Sequence, residues 1–244
     1  SSLVEPNVAI LNNVAEAHLE GFGSLDGVVK AKGEIFNNLK NGGTAIISAN
    51  AEQTHKDYWF NNLAKSFTTK SGDIVQFGKE VRLDSEQSNQ FCSQTVFATD
   101  ITLDALGCAS FTLNVINKDS EEHQQVSLKL GVAGKHNVHN ALAASAACMK
   151  LGASLRDVQA GLSNMAVVQG RVNLKPIDDH LLLIDDSYNA NVQSVKAAID
   201  LLSSYQSHKV LVLGDMAELG DDAIVYHQEV GRYAQQKGID QLFT

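Results

Sequence analysis

Past residue 170 the chain alternates strand-like and helix-like segments with a regularity that few architectures accommodate. HLLLIDDS is followed by VQSVKAAIDLLSSY, KVLVLGD, AIVYHQEVGRYAQQKG and IDQLFT. Short apolar runs bounded by polar or glycine residues read as buried strands, and the segments between them carry apolar residues at helical spacing. Strand, helix, strand, helix, strand is the start of a parallel, doubly wound sheet with right-handed crossovers. Open sheets of that kind bind ligands at the C-terminal ends of their strands. Asp185 and Asp186 after HLLLI, and Asp215 after KVLVLG, are therefore candidates for holding a cation or a sugar hydroxyl.

The first 170 residues have a different grain. VAILNN (Val8 to Asn13) reads as a buried strand that delivers the loop AEAHLEGFGS at its C-terminal end. A core strand so close to the first residue leads to the expectation that the chain is part of a longer protein. Ser24 is a good N-cap for the helix LDGVVKAKGEIFNNL, which brings Lys32 and His18 near the same strand end. GTAIISAN is a second buried strand. From about Asp73 to Leu130, short β runs (DIVQFG, QTVFATDITL, SFTLNVI and QVSLKL) suggest an antiparallel elaboration on an α/β core. After GVAGKHN, an Ala-rich helix, NVHNALAASAACMKLG, is expected to end at Gly152, with Ser154 capping the next helix. A glycine and the second of only two prolines mark a change of pattern in VVQGRVNLKPI. The domain boundary is expected near Gly170, giving domains 1–170 and 171–244.

Composition narrows the class. With 244 residues, 44% hydrophobic and 19% charged, the chain is globular and long enough for two domains. A net charge of −9 and no Lys/Arg cluster argue against a general nucleic-acid binder. Cys92, Cys108 and Cys148 are odd in number and widely spaced, so neither a disulfide framework nor a zinc site is suggested. No apolar run approaches the roughly 18 residues that span a bilayer, and the first residues lack a signal-peptide layout. A cytoplasmic protein is expected, without membrane insertion.

Local motifs leave the chemistry open. Neither GxxxxGK[ST] nor GxGxxG is present, so the two commonest phosphate-cradling loops are missing. A lone loop histidine such as His18 is more often structural than a ligand, and a helical Lys32 is usually solvated. His136 and His139 have metal-ligand spacing with no carboxylate or cysteine to complete a set, and read as a structural or nucleotide-contacting pair. Asp185 and Asp186 could equally begin the turn that caps the helix near Asn191. The glycines of GDMAELG permit a tight turn whose ligand spacing alone does not reveal.

In order along the chain, NNVAEAHLEGFGSLDGVVKAKGEIF, GKHNVHNALAA, the Gly170–Arg171 pair, DDSYNANVQS and VLGDMAELG closely resemble the Mur ligase family. Within it the resemblance points to the member that joins D-alanyl-D-alanine to UDP-N-acetylmuramoyl-tripeptide in peptidoglycan precursor synthesis. The resemblance implies an α/β fold: a partial Mur-ligase central domain, P-loop NTPase-like with an antiparallel β elaboration, then the first part of a Rossmann-like C-terminal domain. It implies ATP and Mg²⁺, and amide formation through an acyl phosphate that the incoming amine attacks. Lys32 matches the family lysine that carbon dioxide carbamylates to help hold magnesium, and His18 the histidine that supports the same ion. Asn140 matches the adenine contact, with Asn137 and His136 beside it. Arg171 matches the arginine that reaches the phosphates, and Asp186 the acid on the ribose. Tyr188, Asn189, Asn191, Asp215 and Glu218 fall where the acceptor amine is expected. In this family the phosphate loop and a magnesium-ligating glutamate precede the segment that this chain matches. The 244 residues by themselves are therefore expected to be inactive, with an aggregation-prone sheet edge, and the full-length enzyme to be a monomer. The alternatives are another ligase of the family or a non-catalytic nucleotide-binding module on the same fold.

Overall fold

The computed structural model describes residues 4–15, 19–68, 71–79, 92–118, 120, 122–166 and 168–244. Strands β1 (Val8–Leu11), β2 (Gly43–Ser48) and β3 (Gly72–Gly78) run parallel, and β4 (Gln94–Leu103) is parallel to β3. Strands β5 (Cys108–Asn117) and β6 (His123–Ala133) then run antiparallel, giving one six-stranded sheet in sequence order. The antiparallel elaboration thus begins at the β4–β5 pair, and DIVQFG belongs to the parallel part. Burial explains the division. Every residue of β2 is buried, as a parallel strand covered on both faces must be, whereas β6 alternates between exposed and buried along much of its length.

Each face of the sheet has its own core. On one, Ile46, Phe77, Leu113 and Leu130 pack with Val138, Leu142 and Ala146 of α4 (His136–Lys150) and Leu162 of α5 (Leu155–Ser163). On the other, Leu11, Ile47 and Ile74 pack with Val29 of α2 (Leu25–Gly33) and Trp59, Phe60 and Leu63 of α3 (Gln53–Phe67). The caps behave as their sequences require. Ser24 Oγ accepts from the Gly27 N–H at 3.1 Å, and Ser154 forms a reciprocal capping box with Asp157. Gly152, at φ 100°, ends α4 in the left-handed conformation.

Three further elements depart from expectation. The segment read as the loop AEAHLEGFGS contains a short helix, α1 (Leu19–Phe22), closed by Gly23 at φ 74°. Helix α2 stops at Gly33 and tightens into a 3₁₀ turn, Glu34–Phe36. Tightening brings positions three apart into line, so that Phe36 and Leu39 are both buried. Strand β8 (Leu182–Asp185) pairs antiparallel with β7 (Asn173–Pro176), not with a parallel neighbour. Lys175 Nζ and Asp185 Oδ2, 2.7 Å apart, form a diagonal cross-strand pair that favours this hairpin. The parallel unit read from the sequence is present one step later: β9 (Val210–Val212), α7 (Ala223–Gln236) and β10 (Gln241–Phe243), with β9 and β10 in parallel register. Helix α6 (Val192–Ser203) packs with α7 through Val195, Ile199, Val230 and Ala234. It also leans on the sheet: Leu201 joins Ala133 and Val172 in a small cluster, and Tyr205 Oη donates to the Leu106 carbonyl at 3.0 Å.

Candidate functional site

A cleft of about 940 Å³ opens where the C-terminal end of β1, the first turn of α4, the β7–β8 hairpin and the start of α6 converge. Strand ends and helix starts meet there because the parallel strands deliver their loops to one edge of the sheet.

The floor is a one-way chain of amides. Asn137 Nδ2 donates to the Ala133 carbonyl at 2.7 Å, which leaves Asn137 Oδ1 to accept from Asn140 Nδ2 at 3.1 Å. Asn140 Oδ1 in turn accepts from Asn12 Nδ2 at 2.9 Å. Since a carbonyl only accepts, the first bond fixes the orientation of all three amides. Asn12 Oδ1 is left buried and without a partner.

His139 anchors the other side of Asn12. Its Nε2 lies 3.1 Å from the Asn12 carbonyl, so that nitrogen carries the hydrogen, with Ser48 Oγ at 3.3 Å and the ring packed 4.8 Å from Phe77. Burial pushes the pKa values of His136 and His139 below the ordinary histidine value, opposed at His139 by its hydrogen bond to the Asn12 carbonyl, and the Lys79 charge lowers both. Each therefore gives up its proton more readily than a free imidazole, and both line the cleft. Among the described residues no cluster of three His, Cys, Asp or Glu side chains could hold a metal. The sign of the pH effect follows. With folded pKa values below the unfolded value of about 6.5, the unfolded chain binds more protons on acidification, so stability is lost as pH falls below that value. Between pH 7.5 and 5.5 the urea midpoint should fall more for the parent than for the His136→Gln/His139→Gln double variant. Equal falls would contradict this.

Lys32, on the last turn of α2, reaches back to the strand end, where Nζ donates to the Asn13 carbonyl at 3.0 Å. Desolvation lowers its pKa, and among the described residues no carboxylate contributes to the shift. His18 lies outside the described residues. Across the cleft, Asp186 Oδ1 accepts from the Val172 N–H at 3.1 Å. Burial raises the Asp186 pKa, opposed by that N–H and by the Arg171 charge. Asp185 points elsewhere: Lys175 and then Ser187 hold its carboxyl down at about 2. The Arg171 guanidinium lies over the ring of Tyr188. Asn191 lines the cleft while capping α6, its Oδ1 accepting from Ser194 N–H at 2.9 Å. Asn189 lines it too, with Oδ1 turned to the Ala190 N–H.

The cleft therefore gathers Lys32, His136, Asn137, Asn140, Arg171, Asp186, Tyr188, Asn189 and Asn191. Asp215 is exposed and does not line it. Glu218, at φ 62°, borders a separate small hollow with Glu20, Gly21 and Phe22. Sequence reasoning passed over Asn12 and Ser48. The polar pair closing VAILNN was the signal for Asn12, under the same strand-end rule that pointed to Asp186.

The profile of the Mur ligase middle domain matches residues 1–148, and that of the Mur ligase, glutamate ligase domain, residues 170–244. The "UDP-N-acetylmuramoyl-tripeptide--D-alanyl-D-alanine ligase" of Haemophilus influenzae is 41% identical over 240 residues, covering 98% of this chain and 46% of that protein. Its namesake in Escherichia coli is 39% identical over 243 residues, covering 100% and 48%. A crystal structure of MurF from Acinetobacter baumannii aligns with a TM-score of 0.79 at 33% identity, over 98% of this chain and 47% of that one. The chain spans about half the length of the curated relatives it matches.

Proposed function

The chain belongs to the Mur ligase family, and on that premise we propose that it supplies the cleft of an ATP-dependent ligase that joins D-alanyl-D-alanine to UDP-N-acetylmuramoyl-tripeptide in the cytoplasm. The observation that carries the reading is the convergence, in one cleft, of Lys32 and Asn140 from residues 1–170 with Arg171 and Asp186 from residues 171–244. We place the boundary between two domains at that join.

The roles follow from the donors and acceptors present. Asn140, held at both ends by its neighbours, keeps one amide hydrogen and one lone pair to meet an adenine edge. Asp186 spends one oxygen on the Val172 N–H and keeps the other for a ribose hydroxyl. Arg171 offers a permanent forked charge to phosphate oxygens, where charge develops during phosphoryl transfer. Lys32 fits a magnesium site only after modification, because an ammonium repels a cation. Its desolvated amine, with no carboxylate partner among the described residues, suits attack on carbon dioxide: an N–C bond forms, a proton leaves, and a carbamate anion results. Magnesium, when bound, neutralises charge on the transferring phosphoryl group. The acceptor lies nearest Asn189 and Asn191 in this scheme, with Asp215 and Glu218 farther out.

The test is an acceptor screen on the full-length protein with ATP, Mg²⁺ and UDP-N-acetylmuramoyl-tripeptide, following phosphate release. D-alanyl-D-alanine should be the acceptor that drives turnover. Turnover with a single amino acid in its place would assign the chain to another ligase of the family, and nucleotide binding without turnover on any acceptor would leave a binding module.

A further inference from the structure

We propose that Tyr188 is a platform that holds Arg171 in the cleft, a positioning residue for the nucleotide phosphates rather than a contact to the acceptor amine. The inference rests on the ATP reading above and deepens it. The guanidinium carbon of Arg171 lies 4.1 Å from the centroid of the Tyr188 ring, within the range of a cation–π stack. A guanidinium stacked on its face keeps its five N–H donors in the plane, directed from its edges. The stack therefore restrains the side chain without consuming a single donor. Both residues line the cleft, and Tyr188 remains 66% exposed, so the pair faces open space where an anion can enter.

The backbone is arranged to make this pair. Tyr188 N–H donates to the Gly170 carbonyl at 3.0 Å, Val172 N–H donates to Asp186 Oδ1, and Asn173 pairs in register with Asp185. Residues 170–173 and 185–188 thus run side by side as an irregular extension of the β7–β8 hairpin. Gly170 permits the approach. Its φ of 71° disfavours other residues, and a Cβ there would lie 3.1 Å from Tyr188 N and 3.4 Å from Tyr188 Cβ. The same staple that aligns Asp186 sets the ring beneath Arg171. An arginine pre-ordered in this way loses less rotamer freedom when it meets a phosphate, which is gained affinity.

The experiment is a double-mutant cycle read by ATP affinity in the full-length protein, with Mg²⁺ and without acceptor, using Arg171→Ala, Tyr188→Leu, their combination, and Tyr188→Phe. Tyr188→Leu should weaken ATP binding about 5- to 30-fold, and Tyr188→Phe, which keeps the ring face, should recover it to within about threefold of the parent. In the Arg171→Ala background, Tyr188→Leu should add less than about twofold, because nothing is left to position. An undiminished effect of Tyr188→Leu without Arg171, equal damage from Phe and Leu, or parental ATP affinity in Tyr188→Leu would each overturn the platform. These results differ from failure of the ATP reading, which would appear as a parent protein that binds no ATP.

Discussion

Lys32→Ala should lower kcat in the full-length ligase by about 100-fold or more, the scale on which loss of a metal-organising group acts. Lys32 sits at the end of α2 with its amine 3.0 Å from the Asn13 carbonyl, on the wall of the cleft. Burial lowers its pKa, so the uncharged amine that carbon dioxide requires is more accessible than on a solvated lysine. On the proposed carbamate reading, loss of the side chain removes an anion, and short carboxylic acids or bicarbonate should partly restore turnover by occupying the space left. Lys32→Arg should be as impaired as alanine, because a guanidinium stays cationic and forms no carbamate. Lys32→Met, which keeps the stem, controls for packing: its unfolding temperature should match the parent while its activity does not. Parental turnover in Lys32→Ala would remove the residue from the mechanism. A loss that no carboxylate restores would keep the residue and discard the carbamate.

How much of this was legible in the sequence depends on how local each feature is. Ser24 and Ser154 were read as caps and are caps, because a cap is decided by a side chain and an N–H three residues away. The buried parallel strand GTAIIS was legible because its unbroken apolar, β-branched run is what two covered faces demand. Helix α3 was not. Its segment, QTHKDYWFNNLAKSF, buries only Trp59, Phe60 and Leu63, a stripe too narrow to stand out from its polar neighbours. The partner of β8 was not legible either, since the choice of β7 rests on tertiary pairing such as Lys175 with Asp185.

The site divides the same way. Asp186 was found by the strand-end rule, and the same rule named Asp215, which follows a strand in a separate two-stranded sheet away from the cleft. The Asn12–Asn140 bond joins residues 128 apart, and no spacing argument foretells that α4 starts beside the end of β1. Lys32, His18 and Arg171 carried too little local pattern to be assigned chemistry without the family resemblance.

Helix α3, unread in the sequence, governs the second large effect. Trp59→Ala should destabilise the fold by about 3–5 kcal/mol, the usual cost of emptying a buried tryptophan site. Trp59 is 1% exposed at the centre of the core formed by Leu11, Ile47, Phe36 and Leu63. Its ring lies flush against α2, where a Cβ on Gly33 would come within 2.9 Å of Trp59 Cδ1. Its indole N–H donates to the Val29 carbonyl at 3.1 Å. That carbonyl sits three residues before Lys32, so the indole fixes the helix that presents the amine. Marginal stability of about 5–15 kcal/mol leaves room for the alanine variant to unfold outright, and Trp59→Phe separates the two roles. Phenylalanine keeps most of the apolar volume and loses the N–H donor, at about 0.5–1.5 kcal/mol, the net worth of one hydrogen bond, since the Val29 carbonyl keeps its place in the helix. The midpoint of urea unfolding should therefore fall in the order parent, Phe, Ala. If the indole positions Lys32, the Phe variant should also lose kcat while ATP affinity stays near parental, because the proposed adenine and phosphate contacts belong to other elements. A Phe variant with parental kcat would confine Trp59 to packing.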